Sequence, residues 1–160
     1  MKKVAIFPGS FDPFTIGHES LVIRALNLFD KIIIAVGHNT QKSGFFDIDV
    51  RVAMIRKIFE NDERIEVDHY EGLTVDYCRR KDVYFIIRGL RTSADFEFER
   101  SVGQVNKQME HKIETVFLLA ATQYTPVSSS IVRDILANGG NVNQFISEKL
   151  NIDDFIEKQG

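Results

Sequence analysis

The sequence predicts an α/β fold, doubly wound around a five-stranded parallel sheet, and three observations carry that expectation. Short apolar runs recur along the chain, stretches of helical period separate them, and all but one of the runs are apolar without alternation. A run that does not alternate is what a strand covered on both faces requires. Strand–helix–strand order with short connections then gives parallel pairing and right-handed crossovers.

The first run is Val4–Phe7, which Pro8 and Gly9 are expected to stop. A helix follows, with His18 at its start and Leu21, Ala25, Leu28 and Phe29 on one face. The second run is Lys31–Val36. Asp47 or Asp49 can cap the next helix, whose Val52, Ile55, Ile58 and Phe59 recur at helical spacing. Ile65–Asp68 alternates, which also suits an edge strand. Val75 and Cys78 mark a shorter helix before the fourth run, Val83–Ile87. The next helix carries Asp95, Glu97, Glu99 and Arg100, read mainly as a charged solvent face, and the fifth run is Thr115–Ala120. Ser128 can cap a helix running through Leu136 to a stop at Asn138-Gly139-Gly140, and further helices are expected from about residue 141.

Composition narrows the function classes. The chain has 160 residues, 44% hydrophobic and 27% charged, which is too apolar for a disordered protein and enough for one sizeable core. Twenty Lys and Arg against 23 Asp and Glu leave a net charge of −3, which argues against a partner made of nucleic acid. The single cysteine, Cys78, excludes an internal disulfide framework and a cysteine-built zinc cage, and suits a reducing, cytoplasmic setting. No run approaches the roughly 18 consecutive apolar residues of a membrane helix, and no signal peptide is expected.

In a doubly wound sheet, ligands bind beyond the carboxyl ends of the strands, and those segments are rich in chemistry here. After the first run, Pro8-Gly9-Ser10-Phe11-Asp12-Pro13-Phe14-Thr15-Ile16-Gly17-His18 joins two glycines, hydroxyls and a histidine at a helix start, an arrangement suited to phosphate. Read without its neighbours, Gly17-His18 is only a turn with a capping histidine. After the second run, Lys42 sits in a polar loop; after the fourth come Arg88-Gly89-Leu90-Arg91, read as a turn flanked by two guanidiniums that can fork onto phosphate. After the fifth, Ser128, Ser129 and Ser130 open a helix, more hydroxyls than a cap needs. There is no G-x-x-x-x-G-K-[ST], no G-x-G-x-x-G and no G-x-S-x-G. Cys78 reads as packing, and His38, His69 and His111 as surface or structural residues. The remaining set, His18, Lys42, Arg88 and Arg91 with Ser10 and the serine cluster, suits phosphoryl or nucleotidyl transfer by positioning and charge stabilisation.

Thr15-Ile16-Gly17-His18 resembles the T-x-G-H signature of a nucleotidyltransferase superfamily. Gly9-Ser10-Phe11-Asp12-Pro13, Arg88-Gly89-Leu90-Arg91, Asp95-Phe96-Glu97 and Ser128-Ser129-Ser130 together resemble the bacterial phosphopantetheine adenylyltransferases, from Lys3 to about Phe145. The resemblance implies a single domain, residues 1–160, with a Rossmann-like nucleotidyltransferase fold. It implies transfer of AMP from ATP to 4′-phosphopantetheine, giving dephospho-coenzyme A and pyrophosphate, with Mg²⁺ and without a covalent enzyme intermediate. It implies that His18 stabilises charge on the α-phosphate with Lys42 and Arg91, and that Ser10, Lys42, Thr74 and Arg88 hold the acceptor. ATP would meet Ser10, Phe11, His18, Gly89, Leu90, Arg91, Glu99, Tyr124, Thr125, Pro126, Val127, Ser128, Ser129 and Ser130. Metal ligands are not implied. A homo-hexamer is implied, and coenzyme A is expected to inhibit.

The chain departs from the family at Ser10, commonly threonine, and at Tyr124, a tryptophan in some members. It also departs at His38-Asn39-Thr40-Gln41-Lys42-Ser43-Gly44, which lacks prolines the family commonly carries and is expected to be more mobile. The alternatives are a nucleotidyltransferase acting on nicotinamide mononucleotide or using CTP, and a non-catalytic nucleotide-binding domain. Acceptor panels separate the first, and the presence of His18 speaks against the second.

Overall fold

The computed structural model describes residues 1–158. Five strands alternate with helices: β1 (Val4–Gly9), α1 (Ile16–Ala25), β2 (Lys31–His38), α2 (Ile48–Ile58), β3 (Ile65–Glu71), α3 (Thr74–Lys81), β4 (Phe85–Leu90), α4 (Ser93–Met109), β5 (Glu114–Leu119), α5 (Ser129–Ala137) and α6 (Asp153–Ile156). The sheet is parallel throughout, in the order β3-β2-β1-β4-β5, so strand order reverses between β1 and β4. Alternate residues of each strand enter different cores. Ala5, Phe7, Ile32, Ile34 and Ile87 pack with α1, α2 and α5 on one face, whereas Ile6, Ile33, Ala35 and Ile86 pack with Val75, Tyr77 and Cys78 of α3 on the other. That division is why β1, β2 and β4 carry apolar side chains in succession. The alternating run is β3, one of the two edge strands, where Glu66 and Asp68 bind Lys31 and Lys81 at 2.6–3.0 Å.

The structure corrects several sequence expectations. Pro8 and Gly9 do not stop β1, which runs on through both while still paired with Ala35 and Val36 of β2. Proline is tolerated in this central strand because β1 pairs with β4 only at Ala5–Phe85 and Ile6–Ile86, so no ladder bond is lost on that side beyond Ile6. Arg88-Gly89-Leu90 is strand rather than turn, and β4 begins at Phe85 rather than Val83. Helix α1 ends at Ala25, so Leu28 lies outside it and is 53% exposed, whereas Phe29 still reaches the core. Asp47 occupies the N-cap of α2 but makes no capping side-chain bond.

The helices expected from residue 141 reduce to α6, because polar side chains compete locally for the backbone. Asn141 Oδ1 accepts from Asn143 N, Ser147 Oγ from Lys149 N and Asn151 Oδ1 from Asp153 N, each two residues on. Val142, Ile146, Leu150 and Phe155 nevertheless join the core. This segment also returns to the first helix, where Phe145 O accepts from Ile16 N at 2.9 Å.

Helix α3 ends on Asp82, an exposed aspartate in the left-handed region at φ 53°. Glycine adopts that conformation without steric cost, and removing a carboxylate from a helix C-terminus also removes repulsion by the dipole. Asp82→Gly should therefore stabilise the fold by about 1 kcal/mol, read as a higher urea midpoint with an unchanged slope.

Candidate active site

Beyond Ile6 and Ile86 the sheet parts, and the two strands are joined there by a side chain. Arg88 Nη1, on β4, donates to the carbonyl of Pro8, on β1, at 2.6 Å. Its other edge is held bidentately by Glu99 of α4, with Nε and Nη2 at 2.8 and 2.7 Å from the two carboxylate oxygens. Two cavities of about 400 and 370 Å³ flank this bridge and share Pro8, Gly9, Ser10, Arg88 and Glu99 as a common wall.

The smaller cavity gathers Phe11, Thr15, His18, Gly89, Arg91, Tyr124, Val127, Ser128, Ser129, Ser130 and Arg133. Phe11 holds a left-handed φ of 47°, unusual for a residue with a side chain. Its ring anchors that conformation, lying 5.0–5.1 Å from the rings of Phe7, Phe14 and His18. A Cβ on Gly9 would come within 2.8 Å of the same ring, so glycine is needed there.

His18 is the third residue of α1 and forms a capping box with Thr15. Thr15 N donates to His18 Nδ1 at 3.0 Å, while the Thr15 hydroxyl accepts from His18 N at 3.4 Å. Because Nδ1 accepts, a neutral ring carries its proton on Nε2. Burial, reinforced by the charges of Arg88 and Arg91, pushes its pKa down from 6.5 to about 3. His18 is thus a neutral hydrogen-bond donor.

The three serines have separate tasks. Ser128 caps α5 by accepting from Ile131 N at 3.2 Å, Ser129 donates to Pro13 O at 2.8 Å, and Ser130 accepts from Arg133 at 3.1 Å. Arg133 also donates to Asp12 O at 2.8 Å, which docks α5 against the loop after β1. Arg91 is held by Asp95, at 3.3 Å from its Nε.

The larger cavity is lined by Gly37, His38 and Asn39 at the end of β2, by Tyr70, Gly72 and Thr74, and by Phe98, Val102 and Asn106 of α4. Thr74 and Tyr70 share a hydrogen bond of 2.8 Å between their hydroxyls. His38 is therefore a cavity residue with a carboxylate neighbour, Glu71 at 3.3 Å, and not merely a surface histidine. Cys78 is packing, as expected: it is fully buried, and burial raises its pKa to about 11.

Ser10, Phe11, His18, Thr74, Arg88, Gly89, Arg91, Glu99, Tyr124, Val127 and the serines all line one cavity or both. Lys42, Leu90, Thr125 and Pro126 line neither. Lys42 lies on an exposed loop whose turn is set by bonds from Lys42 N and Gln41 N back to Asn39. Sequence reasoning missed Arg133, Arg51, Asp12, Tyr70 and Asn106. Arg51 did leave a signal, because it stands four and seven residues before Ile55 and Ile58 on the face of α2 that is otherwise apolar.

The cytidylyltransferase-like family model matches residues 6–135. The chain is 46% identical to a phosphopantetheine adenylyltransferase of Cytophaga hutchinsonii, over 94% of this chain and 100% of that one. It is 45% identical to another of Flavobacterium psychrophilum, over 95% and 99%. The chain belongs to the phosphopantetheine adenylyltransferase family. The fold alone extends further: a bifunctional NMN adenylyltransferase/ADP ribose pyrophosphatase of Francisella tularensis superposes with a TM-score of 0.74 at 17% identity, covering 99% of this chain and 49% of that longer one. As a member of the adenylyltransferase family the protein is a nucleotidyltransferase enzyme, and its T-x-G-H histidine is the capped, neutral His18.

The depressed pKa of His18 has a stability consequence. Below about pH 6.5 the unfolded chain protonates this imidazole, whereas the folded chain does so only near pH 3, so stability falls with pH across that window. His18→Gln removes the titration. Between about pH 7 and pH 5 the variant should lose about 1–2 kcal/mol less stability than the parent, as measured by urea unfolding at both values.

Proposed function

We propose that this enzyme transfers the AMP moiety of ATP to 4′-phosphopantetheine, releasing pyrophosphate and dephospho-coenzyme A. The observation that carries this reading is the pair of cavities separated only by the Pro8–Arg88–Glu99 wall. ATP takes the cavity of His18, Arg91, Tyr124 and the serines. The acceptor lies in the cavity of Thr74, with its arm along the apolar side chains of α4 and its phosphate at Ser10 and Arg88. Lys42 reaches that phosphate from its exposed loop.

An acceptor phosphate oxygen attacks the α-phosphorus in line, and the bond from that phosphorus to the pyrophosphate oxygen breaks with its electron pair leaving on pyrophosphate. No covalent enzyme intermediate forms. The attacking phosphate is already ionised near neutral pH, so no general base is required. The protein instead relieves the repulsion between two anions. Nε2–H of His18 donates to an α-phosphate oxygen, a bond that strengthens as charge accumulates there. Arg88 lies between the two phosphates, Arg91 and the hydroxyls of Ser128, Ser129 and Ser130 face the leaving group, and Glu99 keeps Arg88 in register while facing both substrates. Among the described residues no three His, Cys, Asp or Glu side chains gather into a metal site. Mg²⁺, if carried on the phosphates of ATP as this ion commonly is, would supply further neutralisation of the triphosphate.

Helix α4 leaves Phe98, Val105 and Met109 exposed by 68, 51 and 42%. Further copies of the chain in a homo-hexamer would cover this face, and with it the outer wall of the acceptor cavity. The reaction is proposed to run in the cytoplasm as one step of coenzyme A synthesis, with coenzyme A competing for the acceptor cavity.

Pyrophosphate release with ATP and 4′-phosphopantetheine tests the reading; activity only with nicotinamide mononucleotide, or only with CTP, would replace it. His18→Ala should lower kcat about 10²–10³-fold with ATP binding retained. A near-normal kcat with a raised ATP KM would reduce His18 to a binding residue. Arg88→Ala should mainly weaken use of phosphopantetheine and Arg91→Ala mainly use of ATP, each by about 1.5–3 kcal/mol. Equal losses on both substrates would remove that division of labour.

A further inference from the structure

Arg51 is a cation at 5% exposure on the inner face of α2. Its Nε donates to Phe46 O at 3.0 Å and its Nη1 to Ser10 O at 2.7 Å, with a longer reach of 3.4 Å to Gly37 O. One guanidinium thus ties together the ends of β1 and β2 and the segment leading into α2. Burial lowers its pKa, and the carboxylates of Asp12 and Asp47 oppose that fall. Asp12 grips the same segment with the opposite charge, accepting from Phe45 N and Phe46 N at 2.7 and 2.8 Å. A Cβ on Gly44 would stand 2.9 Å from Asp12 Oδ2, so the segment fits closely against it.

Packing does not explain a guanidinium here. An apolar side chain of similar length would fill the same space without the cost of desolvating a charge. What Arg51 adds is direction. The Ser10–Phe11 peptide is trans, since among the described residues only Asp12–Pro13 is cis, and a trans peptide points its carbonyl and its N–H to opposite sides. With the Ser10 carbonyl drawn towards Arg51, the Phe11 N–H is turned the other way. The left-handed φ of Phe11 is a conformation that persists only where the surroundings enforce it.

We propose that Arg51 is a positioning residue for the transfer step. It sets the Ser10–Phe11 peptide so that the Phe11 N–H and the Ser10 hydroxyl face the reacting phosphates, and it locks that peptide to the segment from Gly37 to Phe46 that carries Lys42. This role rests on the reading that Ser10 and Lys42 meet the acceptor phosphate. A lysine at position 51 keeps the charge but lacks the planar fork that spans several carbonyls.

The test compares Arg51→Lys and Arg51→Met with the parent enzyme in steady-state kinetics, an ATP-binding titration and thermal unfolding. Arg51→Lys should lose about 10- to 100-fold in kcat and raise the acceptor KM, the scale expected when reacting groups are misplaced by an ångström. Its ATP affinity should fall less than its use of the acceptor, because Ser10 and Phe11 form only one wall of the nucleotide cavity and the opposite wall, at Tyr124 and Ser128–Ser130, is untouched. A folded variant with normal kcat, or one whose ATP affinity falls in step with acceptor use, would overturn the proposal. Should neither variant fold, amide hydrogen exchange on the parent protein decides. Adding 4′-phosphopantetheine alone should slow exchange at Phe11 and at Phe45–Phe46 together, and protection of one without the other would refute the lock. Failure of the parent to use phosphopantetheine, measured first, would overturn the functional reading and this role with it.

Discussion

The architecture turns on the place where β1 and β4 stop pairing. Above Ile6 and Ile86 the ladder ends although both strands continue, so backbone groups in the middle of a buried sheet need other partners. Proline at position 8 removes one donor from that account, and Arg88 satisfies the remaining carbonyl. Glu99 then anchors Arg88 from α4. The bond that closes the sheet is therefore also the one that sets a guanidinium between two cavities. A continuous ladder at this point would leave neither cavity and no reason for the charge.

Around that opening the protein separates charge from hydrogen bonding. Its arginines at the site are each held by acceptors of the protein itself: Arg88 by Glu99 and Pro8 O, Arg91 by Asp95, Arg133 by Asp12 O and Ser130. Burial, reinforced by the charges of Arg88 and Arg91, keeps His18 uncharged, and the capping box leaves the histidine's proton on the nitrogen not used by Thr15. A histidine kept neutral in this way donates a hydrogen bond without adding a further cation to a crowded site. The same contact that starts helix α1 thus sets the chemistry of its third residue.

Much of this was legible in the sequence, for identifiable reasons. Unbroken apolar runs announce strands covered on both faces, and the one alternating run, Ile65–Asp68, is one of the two edge strands; the other, β5, does not alternate. Ser128 as cap and the glycines after Ala137 as stop were readable because capping is local, and Gly139 does adopt a positive φ of 74°. What could not be read depends on contacts between distant segments. Pro8 looked like a terminator because its tolerance depends on where β4 parts from it. Helices are expected after residue 141, and Val142, Ile146 and Leu150 do stand four apart, but the Asn and Ser side chains that override the helix act two residues at a time. Arg51 and Arg133 were passed over because each reaches carbonyls on a loop far away in the chain. The exposed position of Lys42 follows from a local Asn39 turn that says nothing about what the side chain meets.

The bond from Ile16 N to Phe145 O has a consequence in time as well as in space. The first amides of a helix have no partners within it and must find them elsewhere. For the helix that carries His18, one of those partners lies near the far end of the chain, in the segment whose Val142 and Ile146 also complete the core under α1. During synthesis, β1 and α1 leave the ribosome well before Phe145, and β2 to β5 are made in between, before that amide is met. The helix with the T-x-G-H motif is thus completed only by a segment made long after it.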